Sequence, residues 1–310
     1  MARFIDWSAL QLVYAIAPPR PVPESEWRLA EALKFLNGPD FLPATSDPAR
    51  IEFGGQTHFT FPTPRSCEDA ENNIVHGRLF RCAQRWRERP AIILLDGAPS
   101  IGYRTVLPWV ARWINRAGFN AALLVAPYQL QRRPRRRPFE KNCLQFAHAM
   151  AQNVAEIRSV VGWLLNEGCP SVGLVGISFG GWTAGLTACS DARIAAAVLG
   201  FPRVRMQCND PVIWRSARET LLALRPAWKA MDTSRLNLIL STPLIPKENI
   251  LLIEGIHDLL SEPQAMEELW QKWQQPEIWR LPCGHLNGRL DLIGRMLRWL
   301  TPRLEAGWKG

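Results

Sequence analysis

From Ala91 onward, compact apolar runs recur between longer stretches of helical periodicity. They occupy residues 91–95, 120–126, 171–175, 194–199, 250–253 and 277–281. Short apolar strands alternating with helices imply a mostly parallel central sheet with helices on both faces. The intervening segments support this. Residues 149–167 carry Val154, Ile157, Val160, Val161, Leu164 and Leu165 at helical spacing and stop at Gly168. Ser261 precedes Glu262-Pro263-Gln264 as an expected helix N-cap. Leu290, Ile293, Leu297 and Leu300 align on one face of a last helix.

Ahead of this pattern the chain is different. Ile51 and Phe53, then Gly54-Gly55, then residues 58–61 read as a strand, a tight turn and a returning strand, which predicts antiparallel N-terminal strands. Residues 24–37 repeat apolar side chains at helical spacing and end at Gly38-Pro39, so residues 1–48 are expected to form a helical extension. The main domain is then 49–310. About fifty residues separate the runs at 194–199 and 250–253, more than a simple crossover needs. A small helical cap insertion is expected over 203–248, with a helix near 211–224.

With 310 residues, 47% hydrophobic and 21% charged, the chain can bury a sizeable core. That balance excludes a disulfide-stapled scaffold, wholesale disorder and a multi-span membrane protein. No stretch reaches the ~20 apolar residues of a membrane span. Seven scattered cysteines with no Cys-x-x-Cys pair point to thiols in a reducing compartment, and a cytoplasmic location is expected. Residues 7–17 are mildly apolar and end in Ala15-Ile16-Ala17, but Ser8 and Gln11 interrupt them and Asp6 offsets Arg3, which argues against a secretory signal.

The chemistry-bearing segment is Gly176-Ile177-Ser178-Phe179-Gly180-Gly181, between an apolar run and the helix-compatible stretch 182–188. A sharp strand-to-helix turn strains its central serine, and small residues two before and two after it avoid collision. Gly-x-Ser-x-Gly alone recurs by chance in roughly one chain in ten of this length. Its setting makes it informative. A serine hydroxyl needs a base in hydrogen-bond reach, itself oriented by a carboxylate. Downstream lie two histidines, His257 and His285, with Asp258 just past one apolar run and His285 just past the next. Parallel strands put all their C-terminal ends on one rim.

These residues resemble the α/β-hydrolase superfamily, whose triad runs serine, then acid, then histidine along the chain. The resemblance extends from about residue 50 to 304, nearest in character to esterases, dienelactone hydrolases and prolyl-oligopeptidase-like enzymes. It implies Ser178 as nucleophile, His285 as general base and then acid, and Asp258 as the orienter of the imidazole. It also implies an oxyanion hole from the backbone N–H groups of Phe179 and Ala98, the latter in Asp96-Gly97-Ala98-Pro99, where many members have a histidine in place of Asp96. An ionised Asp96 aimed at the oxyanion would oppose catalysis unless it faces away. The implied activity is cleavage of a carboxylic ester, thioester or related small acyl compound through an acyl-enzyme, with no metal or organic cofactor.

Other readings stand beside this one. Ser178 could sit in a phosphate-binding turn, although neither a Walker lysine nor a three-glycine dinucleotide motif is present. Glu254 competes with Asp258 as the acid, and His257 with His285 as the base. The fold could serve as a catalytically silent scaffold or host a peptidase. Trp182, Trp214 and Trp228 could be core or line a cleft. His58, His76 and His148 precede the serine and are expected to pack or face solvent.

The net charge is +9, and Arg132, Arg133, Arg135, Arg136 and Arg137 fall within six positions. This cluster is a solvated loop or an electropositive mouth recruiting an anionic substrate, and such an arginine-rich stretch could also bind RNA or an acidic membrane surface. No recognised nucleic-acid module accompanies it.

Overall fold

The computed structural model describes residues 6, 25–44, 46–98, 100–135, 142–206, 226–285 and 292–306. Among the described residues, nine strands form one sheet in the order β1-β2-β3-β5-β4-β6-β7-β8-β9. β1 (Glu52–Phe53), β2 (His58–Pro62) and β3 (Ile74–Phe80) enter antiparallel, and β3 pairs antiparallel with β5 (Asn120–Leu124). β4 (Ala91–Leu95), β5, β6 (Val172–Ile177), β7 (Ile194–Gly200), β8 (Ile250–Gly255) and β9 (Glu277–Leu281) are mutually parallel. Every residue of β4, β5 and β8 is buried, as a strand covered on both faces requires.

Alternation along the strands divides the core in two. Ile93, Leu95, Leu174, Leu199 and Leu252 point to the side covered by α1 (Glu26–Asn37), α3 (Cys143–Asn166), α4 (Phe179–Ala188) and α5 (Pro263–Lys272). Ile92, Leu94, Val175, Val198 and Leu251 point to the side covered by α2 (Val106–Arg116) and α6 (Leu292–Glu305). Between β7 and β8, the described part of the proposed cap buries Val204, Met206, Met231, Leu236 and Leu238 in the same core as α4. The expected helix near 211–224 lies outside the described residues, as does Leu290.

Three local features differ from the sequence reading. α3 starts at Cys143, six residues earlier than expected, because the Asn142 side chain accepts the Gln145 N–H at 2.8 Å and caps it. Ser261 is not the N-cap of α5; Glu262 holds that position, and the Ser261 hydroxyl donates to the Phe201 carbonyl at 2.8 Å. Neither β3 nor α2 is named in the sequence reading. In β3 the inward positions are Val75, Gly77 and Leu79, and Gly77 interrupts the apolar alternation because the Phe59 ring fills the place of its side chain. α2 is amphipathic, with Leu107, Val110, Ala111 and Ile114 buried and Arg112 and Arg116 outward, and Trp109 and Trp113 share that outer face.

Candidate active site

The parallel register aligns Leu95 with Gly176, Gly176 with Leu199, and Gly255 with Leu281, so the loops after β4, β6, β7, β8 and β9 share one rim. Ser178 follows β6 at φ 57° and ψ −116°, a left-handed conformation costly for a residue with a β-carbon. The surroundings hold it there. A β-carbon on Gly176 would overlap the Gly180 carbonyl, and one on Gly180 would overlap the Leu95 carbonyl, so only glycine lets the turn close this tightly. The Ser178 N–H donates to Gly200 O at 2.8 Å, and its carbonyl accepts from Trp182 N at 3.0 Å as the first bond of α4.

Asp258 and His285 reach this serine from the ends of β8 and β9. His285 Nε2 lies 2.8 Å from Ser178 Oγ, and His285 Nδ1 lies 2.7 Å from Asp258 Oδ2. The side chains of His285 and Asp258 are 6% and 0% exposed, so little solvent competes for these bonds. Asp258 Oδ1 accepts the N–H groups of Leu260 at 2.7 Å and Ser261 at 2.8 Å, which fixes the carboxylate plane. A carboxylate only accepts, so Nδ1 donates to it and Nε2 is left as the acceptor facing the serine hydroxyl.

The competing candidates lie elsewhere. Glu254 is buried but pairs with Arg280 at 3.2 Å; burial pushes its carboxyl up, and the guanidinium opposes the rise. The His257 side chain is exposed, and its backbone N–H donates to Cys283 O at 3.0 Å. His58 is exposed, and His148 stacks on Phe35 with ring centroids 4.2 Å apart. Trp182 is core, its indole N–H donating to Leu236 O at 2.8 Å. Trp214 lies outside the described residues, and Trp228 packs partly buried against the core.

Asp96 faces away from the serine. Its Oδ1 accepts from Gly97 N at 2.9 Å and its Oδ2 from Tyr103 N at 2.7 Å, so the carboxylate ties down the following loop. Burial pushes its carboxyl up, and the N–H groups of Tyr103, Gly97 and Gly102 oppose the rise. Gly97 runs alongside the nucleophile; a β-carbon there would sit 3.4 Å from Ser178 Cβ. Ala98 follows it, and Phe179 opens α4, whose first N–H groups have no partner within the helix.

Arg132 is a correction. It does not face a substrate mouth: its guanidinium is fully buried and grips Glu156 through both oxygens at 2.6 and 2.7 Å. It also donates to Val125 O at 2.8 Å and Asn72 O at 2.7 Å, locking the loop after β5 to the turn before β3 and to α3. Arg133 and Arg135 are exposed and line a cavity of about 460 Å³ with Arg104 and Leu130. Arg136 and Arg137 lie outside the described residues.

Two supporting contacts had no sequence signal. The Asp6 carboxylate, fully buried, accepts the His285 backbone N–H at 2.7 Å and lies where a side chain on Gly284 would project. Phe201, at φ 46°, sets its ring edge-on to the His285 ring at 6.2 Å, held by its N–H to Ile253 O and by the Ser261 hydroxyl.

A mostly parallel sheet with a strained serine after one strand, and an acid and a histidine after the strands beyond, defines the α/β-hydrolase class, and this chain has that fold. The family model described as alpha/beta hydrolase domain containing 18 matches residues 59–203. Uncharacterized proteins of two Mycobacterium tuberculosis strains are each 31% identical over 157 residues, which is 47% of this chain and 36% of the relative. The chain thus matches little more than a third of the length of those curated relatives. Among solved structures, an esterase of Pyrococcus furiosus superposes with TM-score 0.55 at 14% identity, covering 84% of this chain and all of the esterase. Est1E of Butyrivibrio proteoclasticus with ferulic acid bound gives 0.53 at 12%, covering 78% of this chain and all of that one. The α/β hydrolase GrgF of a Penicillium species gives 0.56 at 16%, covering 82% and 99%.

Proposed function

We propose that the chain is a serine hydrolase that cleaves a carboxylic ester, thioester or related small acyl compound through an acyl-enzyme. The observation that carries this reading is the pair of contacts running from Ser178 Oγ through the His285 ring to Asp258. His285 Nε2 takes the Ser178 proton as Oγ attacks the acyl carbon, and Asp258 stabilises the imidazolium that forms. The N–H groups of Phe179 and Ala98 receive the developing oxyanion. His285 then returns the proton to the leaving group, the acyl-serine remains, and a water activated by the same Nε2 releases the acid. The reading also assigns 1–48 as an extension, 203–248 as a cap over the main domain, and a cytoplasmic location in keeping with the thiols Cys67, Cys82, Cys169 and Cys189.

A fluorophosphonate probe tests the nucleophile directly. The wild-type chain is expected to label and Ser178→Ala to remain unlabelled. Labelling that persists in the alanine variant would reject Ser178, and an unlabelled wild type would leave the scaffold reading in its place.

A further inference from the structure

Residues 97–139 contain eight arginines and no Asp, Glu or Lys. Three of those arginines, Arg104, Arg112 and Arg116, are exposed along and just before α2, and Arg133 and Arg135 stand beside Arg104 across the cavity described above. The inner face of α2 is ordinary core. Its outer face carries Trp109 and Trp113, 39% and 41% exposed and in edge contact at 5.8 Å, with the Arg116 guanidinium 5.7 Å from the Trp113 ring centre. Ile101, 65% exposed, and Val106, 44% exposed, lead into the helix. A solvated helix face gains nothing from two tryptophans and two aliphatic side chains flanked by arginine.

We propose that this face docks on the surface of an anionic phospholipid bilayer. Tryptophan is the side chain suited to the headgroup boundary, where its indole is half solvated and half apolar. The apolar face of α2 belongs to the core, so contact would come from its outer tryptophans and from Ile101 and Val106, and the arginines add attraction to anionic headgroups. Charge disfavours a second copy of this chain, since the charged side chains of α2 are all arginine and would repel their own copies, although Glu71 accepts the Arg135 backbone N–H at 3.3 Å. Nucleic acid would engage the arginines and could stack on the indoles, but it offers nothing to exposed Ile101 and Val106. The location has a consequence for access. α2 follows directly on the 97–105 loop whose Gly97 lies against Ser178, so docking would set the rim of the site beside the lipid surface. The inference stands on the surface alone and does not require the hydrolase reading.

The test is co-flotation of the full chain with vesicles of phosphatidylcholine, with and without phosphatidylglycerol. Binding is expected only to the anionic vesicles and is expected to weaken at high salt. Arg112→Gln with Arg116→Gln should weaken partitioning roughly 30-fold, at about fivefold per arginine. Trp109→Ser with Trp113→Ser should weaken it by about tenfold or more. Lys34→Gln with Arg85→Gln removes the same charge from two other exposed positions and should change little. Absence of binding, an equal loss in the control pair, or indifference to the tryptophan pair overturns the proposal. Displacement of the chain from vesicles by single-stranded RNA, with no effect of the tryptophan pair on RNA binding, assigns the surface to nucleic acid instead. Ser178→Ala should bind vesicles like the wild type, so a failed nucleophile and a failed docking face are told apart.

Discussion

Asp258→Asn tests the geometry of the site more sharply than removal of the serine. The substitution preserves shape and changes one oxygen to an NH2 group, so the outcome depends on which way the amide turns. Asp258 Oδ1 accepts two backbone N–H groups, from Leu260 and Ser261, whereas Oδ2 accepts one ring N–H from His285. Turning the NH2 toward the backbone would set it against two N–H donors, one buried and one part-buried, at about 1–3 kcal/mol for each bond lost. Turning it toward His285 asks only that the imidazole change tautomer. The amide therefore adopts the second orientation, Nδ1 becomes the acceptor, and Nε2 carries a hydrogen aimed at Ser178 Oγ. The serine then has no base. A wrong tautomer at an otherwise intact triad lowers kcat about ten-thousand-fold, or about 5 kcal/mol in activation free energy. The charged hydrogen bonds that are lost cost about 1–2 kcal/mol of stability, which a domain of ordinary stability survives. The assay is kcat for p-nitrophenyl acetate hydrolysis against the Ser178→Ala background, with near-ultraviolet circular dichroism to verify folding. A folded Asp258→Asn protein retaining kcat within tenfold of wild type would refute the proposed role of the carboxylate.

Asp6→Ala removes the acceptor of the His285 N–H and should lower kcat about ten- to hundred-fold with little change in KM, while Asp6→Asn, which keeps an acceptor oxygen, should recover most of it; equal loss in both variants would discount the contact. Arg132→Met strands the buried Glu156 carboxylate and should cost about 3–5 kcal/mol in urea unfolding, against about 0.5 kcal/mol or less for Arg133→Gln or Arg135→Gln. Equal effects at the three positions would contradict the buried pair. Burial, seconded by Arg132 for His76 and by Arg65 for His148, pushes both imidazoles below the usual 6.5. The unfolded chain therefore takes up protons first, and stability present above pH 6.5 should fall as pH drops through that value toward the lower folded pKa. His148→Gln should flatten that fall in a series of Tm measurements, and an unchanged slope would count against it.

Much of the fold was legible because the central strands, β4, β5 and β8 above all, are short, apolar and buried on both faces, a pattern that survives without knowledge of neighbours. The features that escaped depend on a neighbour. Gly77 breaks the alternation of β3 only because Phe59 occupies its side-chain space, and these two residues pair across separate strands. α2 has a clear helical period, with Leu107, Val110, Ala111 and Ile114 on one face, and what its sequence does not explain is Trp109 and Trp113 among the arginines of the other. The early start of α3 rests on one asparagine cap, a signal easily passed over beside a long apolar stripe.

The site divides along the same line. Ser178, Asp258 and His285 could be named because each follows an apolar run, and a parallel sheet brings the ends of such runs to one rim whatever the rest of the chain does. No spacing rule reaches Asp6, which is 279 positions from the backbone N–H it accepts. Arg132 makes the point from the opposite side. Five arginines in six positions look alike in composition, yet one of them finds Glu156 on α3 and leaves solvent altogether, because that carboxylate is itself buried and needs a cation. Its burial anchors the loop, and an anchored loop can hold Arg133 and Arg135 at the surface beside Arg104. The buried member of the cluster thus sets where the exposed members stand, a distinction that belongs to tertiary contacts rather than to the run of charge.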